Sequence, residues 1–394
     1  MPAPLPRLLY HWQHSHCLGP VLQSLALARA LTENFRVNIL SGAPLPVGVV
    51  SPERVSLSQL APLAIANDGT LSTLDRRRPV ERALEIRRQA LANVFATIRP
   101  DVIVLDLFPF GARQLDGELL PLLDAARRCR PKPLVVCSVR DPDDLPFSSD
   151  NDHEVIRLLQ TCFDAILVHT DPHYATLENS WLRAASINIP VYHTGFIRPI
   201  VTNHDGRAKK NKTQVLVSAG SGLGGGRLLR AAAQAHALLA QDESMRMQLV
   251  GGPLLPEDDW RTLRSMTRGN RNIVMQRYVS DIQRLMQQAD VSIGHCGYNS
   301  CLDVLESTPP ALLVPRSDDV KQVRRGRKLQ RLGAAMVLDA ASLSPEAIAH
   351  AIRELRVQLP RRPVFDTSGA TRSTALIQNL LADLQRPMRE LNVG

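Results

Sequence analysis

The stretch "ADVSIGHCGYNSCLDVLE", residues 289–306, begins as a buried strand and ends as a helix, with a glycine turn between them. Asn299 or Ser300 is expected to cap that helix, and Asp303 to fall in its first turn. A helix that starts at the end of a strand presents free backbone N–H groups and the positive end of its dipole, so the turn predicts an anion site. The residue types fit a phosphate at the helix end and a neighbouring diol bonded by Asp303. Zinc is the poorer reading, because His295, Cys296 and Cys301, at spacings i, i+1 and i+6, do not converge on one tetrahedral site.

The same strand–turn–helix unit recurs outward in both directions. Towards the C-terminus, "PALLVPR" (310–316) reads as a strand; towards the N-terminus, "NIVMQRYV" (272–279), "RMQLVGG" (246–252) and "QVLVSAG" (214–220) do the same. "SAGSGLGGGR" (218–227) joins the last of these to a helix at about 227–240, and its backbone amides form a second anion site. It lacks the GK[ST] of a P-loop and the spaced dinucleotide fingerprint. A further set of apolar runs, at 7–11, 35–41, 101–108, 133–139 and 163–169, alternates with helical patterns at 21–34 and 79–98. Continuous apolar strands alternating with helices predict parallel sheets covered on both faces. The fold class is therefore α/β, with two doubly wound, Rossmann-like domains facing across a cleft.

Expected boundaries are 1–200 for the first domain, 201–212 for a polar, basic linker, and 213–372 for the second domain. A last helix within 373–394 is expected to pack back on the first domain.

Composition agrees with two cores of ordinary size. The 394 residues are 44% apolar and 22% charged, close to the globular average. No segment offers the roughly 20 consecutive apolar residues of a membrane span, and no signal peptide is legible, so a cytoplasmic location is expected. Six cysteines at scattered spacings encode neither a disulfide framework nor a zinc ribbon. The net charge of +9 comes mainly from arginine, with clusters at Arg76-Arg77-Arg78 and in "KQVRRGRKLQR" (321–331) that suit phosphates or an anionic membrane surface. Nucleic acid is not expected as a partner, since aromatics are only 4% and no recognition motif accompanies the charge.

"HCGYNS" followed by an acidic residue three positions on resembles the donor signature of nucleotide-sugar glycosyltransferases of the GT-B fold. "LLVPRSDDVKQVRR" is similar to the proline strand and acidic-Gln pair downstream in that family. "LDLFPFGARQLDGELLPLLDAAR" (105–127) and "VRDPDD" (139–144) look like predicted glycosyltransferases related to the N-acetylglucosaminyltransferase of lipid-linked peptidoglycan precursors, with its family 28 C-terminal domain. The resemblance spans most of the chain and is weakest over 40–80.

The resemblance implies a metal-independent, inverting transferase with no bound cofactor. A nucleotide sugar, with UDP the expected carrier, is the co-substrate, and an acceptor hydroxyl of unknown identity, lipid-linked by analogy, is the other partner. Donor contacts are expected from Ser221, Gly222, Tyr278, His295, Gly297, Tyr298, Asn299, Ser300, Asp303 and Gln322. Asp303 replaces the usual Glu, and Lys321 replaces the acidic residue before Gln322. The alternatives are a nucleotide-sugar hydrolase or epimerase of the same fold, or a binding protein that has lost its base.

The base is the open question, because Pro20 stands where the family carries its histidine. "HWQHSHCLGP" (11–20) offers His16 and His14 as substitutes on the loop leaving the first strand, with His16 the leading candidate. In a sheet ordered 3-2-1-4-5, Asp106 would neighbour that strand and orient the imidazole. A metal held by His14, His16 and Cys17 lacks a recognisable distant ligand, and "DPD" (141–143) reads more simply as a turn.

Overall fold

The structure, a computed structural model, describes residues 4–14, 18–46, 49–66, 69–75, 78–145, 151–198, 212–239, 244–279, 281–307, 309–357 and 363–390. The chain forms two compact units, one of Met1–Ile200 with Phe365–Gly394 and one of Val201–Val364. Apart from Lys212, the expected linker lies outside the described residues, as do Arg76 and Arg77.

The first unit contains β1 (Arg7–Trp12), α1 (Leu18–Leu31), β2 (Arg36–Ser41), β3 (Val55–Gln59), β4 (Leu63–Ile65), β5 (Leu71–Thr73), α2 (Val80–Ile98) and β6 (Val102–Asp106). It continues with α3 (Asp116–Arg128), β7 (Leu134–Val139), α4 (Asp152–Cys162), β8 (Ala165–Val168), the short α5 (Leu177–Ser180) and β9 (Val191–His193). Seven strands make one sheet ordered β3-β2-β1-β6-β7-β8-β9, and β4 and β5 form a separate antiparallel pair. Every pairing in the large sheet is parallel, with His11 beside Leu40 on one side and Leu105 on the other.

Alternation along the strands feeds two cores. Leu9, Ile103, Leu105, Val135 and Cys137 pack on the face covered by Ala83 and Leu91 of α2, Leu119 and Leu122 of α3, and Leu158 of α4. Leu8, Tyr10, Trp12, Val102, Val104 and Val136 point the other way, against Val21, Leu25 and Ala28 of α1. Ile377 and Leu381 complete that second core from the C-terminal helix, so the last segment of the chain covers the first sheet.

The second unit contains β10 (Thr213–Ser218), α6 (Gly226–Leu239), β11 (Met245–Val250), α7 (Glu257–Met266), β12 (Ile273–Gln276), α8 (Ile282–Gln288) and β13 (Val291–Gly294). After these come α9 (Tyr298–Glu306), β14 (Ala311–Leu313), α10 (Val320–Arg331), β15 (Met336–Val337) and α11 (Pro345–Val357). Its sheet is ordered β12-β11-β10-β13-β14-β15 and is parallel throughout. Leu228, Leu229, Ala232 and Ala235 of α6 pack with Ile348, Ala351 and Ile352 of α11 over one face.

The final helix, α12, runs Gly369–Glu390 and thus starts before the expected 373. Its early start follows from packing. Gly369 lies so close to Gly195 and Phe196 that a Cβ would stand 2.2 Å from the Gly195 carbonyl oxygen, a contact only glycine permits. Among the described residues, no helix is long and apolar enough to cross a membrane.

Candidate functional site

In each sheet the chain leaves its central strand on one side and returns on the other, and at that switch point the following loops diverge and open a crevice. In the first unit the switch point lies between β1 and β6. His14 lies two residues beyond β1, and Asp106 is the last residue of β6. Nε2 of His14 stands 3.1 Å from Oδ2 of Asp106, with the side chains only 6% and 4% exposed. The Ser24 hydroxyl on α1 is 3.0 Å from the same nitrogen, and the Trp12 indole stacks on the imidazole at 5.8 Å between centroids.

The electrostatics keep this pair as neutral imidazole and carboxylate. Burial holds His14 below the usual histidine range, outweighing the pull of Asp106. Burial alone would raise Asp106, but the His14 hydrogen bond and the charges of His14, Arg140 and His169 hold its carboxyl below the usual range. His16 lies outside the described residues, with Ser15 and Cys17; among the described residues His14 is the imidazole at hydrogen-bond distance from Asp106.

His11, the remaining histidine of the 11–20 stretch, turns to the opposite face of β1. Its Nε2 is 3.7 Å from Oε1 of Glu118, which in turn receives a fork of bonds from Arg87 at 2.7 and 2.6 Å. Arg87 also donates to the carbonyls of Gly42 and Ala61, so this cluster fastens α2, α3 and the loops after β2 and β3 together.

In the second unit the switch point lies between β10 and β13, and the two glycine turns leave these neighbouring strands. Gly297 is the N-cap of α9, with an extended backbone and no side-chain cap. Asn299 and Ser300 are therefore first-turn residues and not caps, and Asp303 falls in the second turn. With glycine at the cap, no side chain of the cap residue covers the helix amides. A Cβ on Gly220 would lie 3.8 Å from the Ser300 hydroxyl and one on Gly297 3.7 Å, so Ser300 stands between the two turns.

The loop holding Ser221 and Gly222 is locked to the turn after β11. Gly222 has φ +95°, and a Cβ there would meet the Leu255 nitrogen at 2.5 Å; Leu254 N–H donates to the Ser221 carbonyl at 2.8 Å. His295 donates from Nδ1 to the Val314 carbonyl at 2.7 Å, while its buried Nε2 has no hydrogen-bond partner. Burial holds this imidazole below the usual range.

The other expected donor residues have their own surroundings. Tyr298 opens α9, with the Arg325 guanidinium 5.8 Å above its ring. Oδ1 of Asp303 accepts from the Gln283 amide at 3.1 Å. Gln322 sits at the start of α10 behind the N-cap Asp319: its Oε1 accepts from Arg316 N–H at 3.2 Å and its Nε2 donates to Asp319 Oδ2 at 3.2 Å. Tyr278 is not brought to this group, since it follows the edge strand β12, with β11 and β10 between it and β13, and is 43% exposed. Among the described residues no three His, Cys, Asp or Glu side chains converge to hold a metal ion.

Sequence reasoning missed Ser24, His169 and Arg316. Arg316 ties the loop after β14 to the glycine turn after β10 by donating to the Leu223 carbonyl at 3.2 Å, and it pairs with Asp318 at 2.6 Å. His169 follows β8 and is held between Ser138 at 3.0 Å and Thr194 at 2.9 Å. For His169 and Arg316 the available signal was position alone, just beyond the C-terminal end of a strand; Ser24, inside α1, had none.

Residues 215–378 match the glycosyltransferase family 28 C-terminal domain. No curated protein sequence matches the chain. The calicheamicin glycosyltransferase CalG4 is similar over 99% of this chain and 98% of its own, at 16% identity and a TM-score of 0.61. MurG of Acinetobacter baumannii is similar over 97% of this chain and 100% of its own, at 15% identity and a TM-score of 0.57. The UDP-GlcNAc 2-epimerase of Methanocaldococcus jannaschii shares the fold over 95% of this chain and 99% of its own, at 11% identity and a TM-score of 0.59. The two parallel-sheet units have the GT-B fold, and the domain matched on residues 215–378 marks the chain as a glycosyltransferase.

Proposed function

We propose that the enzyme moves a sugar from a UDP-sugar to an acceptor hydroxyl by direct, inverting displacement without a metal ion. The observation that carries this reading is the polar cluster at each switch point: a buried imidazole–carboxylate pair in the first unit, and in the second two glycine turns opening helices beside an unpartnered imidazole nitrogen.

His14 is the base in this reading. Its Nε2–H points to Asp106, which leaves the lone pair of Nδ1 to take the acceptor proton. The acceptor oxygen then bonds to the anomeric carbon as the bond from that carbon to the diphosphate oxygen breaks. Asp106 stabilises the imidazolium formed. The departing diphosphate gains its charge against the N-termini of α6 and α9, fixed dipoles that need no reorganisation during the step, and against a His295 that takes up a proton when the donor binds.

Calorimetric titration with UDP and the other nucleoside diphosphates, followed by turnover with UDP-sugars and hydroxyl acceptors, tests the reading. Saturable UDP binding and acceptor-dependent release of UDP are expected. Absence of nucleotide affinity up to millimolar concentration overturns it, and release of free sugar at a rate indifferent to acceptor points to a hydrolase instead.

A further inference from the structure

The VRDPDD turn closes β7, the strand next to β6, and the displacement described above does not use it. Asp141 begins a single 3₁₀ turn over Pro142–Asp144 and accepts the Asp143 N–H at 3.0 Å, which fixes the backbone around Arg140. The Arg140 side chain is 14% exposed; one of its nitrogens is 3.3 Å from Oδ2 of Asp144 and another 3.8 Å from Oδ2 of Asp106. That Asp106 oxygen is the one His14 meets at 3.1 Å.

We propose that Arg140 is a positioning residue for the His14–Asp106 pair: by sharing Oδ2 of Asp106 it limits how strongly that carboxylate retains a proton on His14, leaving the imidazole free to accept one. The proposal rests on the reading of His14 as the base. A carboxylate with an imidazole at hydrogen-bond distance and a guanidinium within 4 Å divides its attraction between the guanidinium and any proton on the imidazole, and in a buried site that division is weakly screened by water.

The groups facing His14 come from several elements. Asp106 on β6 favours a proton on it, whereas Arg140 after β7 and His11 on β1 oppose one. Tyr10 on β1 lies against the Ser24 and Ser138 hydroxyls, and burial raises it far above the usual phenol range, so it is neutral. His169, after β8, is lowered to about 4 by burial and is neutral at physiological pH. Asp141 and Asp144 stand behind Arg140 and hold it charged against the cost of its burial. The charges next to His14 are therefore set by Asp106 and Arg140, with Asp144 tempering the latter.

The test is the titration of the His14 imidazole by NMR in the full chain without ligand, its resonance assigned by its loss in H14Q. R140Q is expected to raise the His14 midpoint by about 1 pH unit, because Asp106 then acts on His14 alone. D144N is expected to lower it, because Arg140 loses its other carboxylate. A merely structural role does not give opposite signs. If R140Q does not fold, the double variant R140Q/D144N, which removes both charges of the pair, carries the test and is expected to lie above the wild-type midpoint. A wild-type midpoint in R140Q or in the double variant overturns the proposal. Failure of the base reading looks different: the midpoints move as expected, yet H14Q retains turnover.

Discussion

His14 and Asp106 stand 3.1 Å apart across the switch point of the first sheet, the histidine just past β1 and the aspartate at the end of β6. The distance follows from topology. β1 and β6 are paired in parallel register, His11 beside Leu105, so the residues that leave their C-terminal ends emerge side by side. Trp12 and Ser24 then fix the ring plane and rotation, which leaves one nitrogen for the carboxylate and one for chemistry.

If that second nitrogen takes the acceptor proton, His14→Ala lowers kcat by about 10² to 10⁴ while donor affinity stays close to wild type. Asp106→Asn is expected to give a milder loss, since it weakens orientation and imidazolium stabilisation without removing the base. Steady-state kinetics beside UDP titrations read both quantities. Wild-type kcat in His14→Ala would move the base to His16 or to a carboxylate.

Asp106 was legible in the sequence because it ends a five-residue strand, four of them apolar, whose neighbour in a doubly wound sheet is the first strand. The contact of His14 with Asp106 was not, since spacing alone does not say which way a ring on that short loop turns, and His16 lies outside the described residues. The cap of α9 was misread for a related reason: Asn299 and Ser300 have the better capping chemistry, but Gly297 has the extended backbone, at φ −63° and ψ 153°, from which the helix starts. β4 and β5 are three residues each, too short for periodicity to show. Arg140 was visible only as part of a motif, since its meaning depends on Asp106, which lies on another strand.

If His295 meets the donor diphosphate, donor binding is proton-linked. Val314 offers only a carbonyl, so Nδ1 carries the ring proton and the neutral Nε2 presents a lone pair that repels a phosphate oxygen. Burial holds the free group below the usual histidine range, so above that value binding must take up a proton. UDP-sugar affinity is expected to rise as pH falls from about 8 to about 6, by up to about tenfold per unit. A nucleotide sugar has no titrating phosphate proton in that interval, so the slope reports the protein. His295→Gln is expected to flatten it, and an equal slope in both proteins removes His295 from the diphosphate.

The Arg87–Glu118 pair carries a stability that depends on acid. Burial alone would raise Glu118, but the Arg87 fork and His11 hold its carboxyl below the usual range. Its contribution is therefore complete above the unfolded carboxylate value and fades as pH falls through the lower folded one. Arg87→Met or Glu118→Gln is expected to cost about 3 to 5 kcal/mol at neutral pH, because each strands a buried partner, and the Arg87→Met/Glu118→Leu double variant to cost less than either. Urea unfolding at several pH values checks this. Single-variant costs below about 1 kcal/mol would mean that water reaches the pair.

Asp303 faces two roles that one cycle separates. Its carboxylate receives Gln283 at 3.1 Å, a bond that ties α8 to α9, and it lies one turn beyond the residues proposed to meet the diphosphate. If it also bonds the ribose diol, Asp303→Ala weakens UDP binding by about 1 to 3 kcal/mol. The wild type should then prefer UDP over its 2′-deoxy analogue, and the variant should not, since the energy belongs to the pair and disappears when either partner is removed. Gln283→Ala provides the comparison: it breaks the same interhelical bond and should leave the preference for the ribose hydroxyl intact. Equal discrimination by Asp303→Ala and wild type, with both variants equally less stable, would assign Asp303 to holding the helices alone.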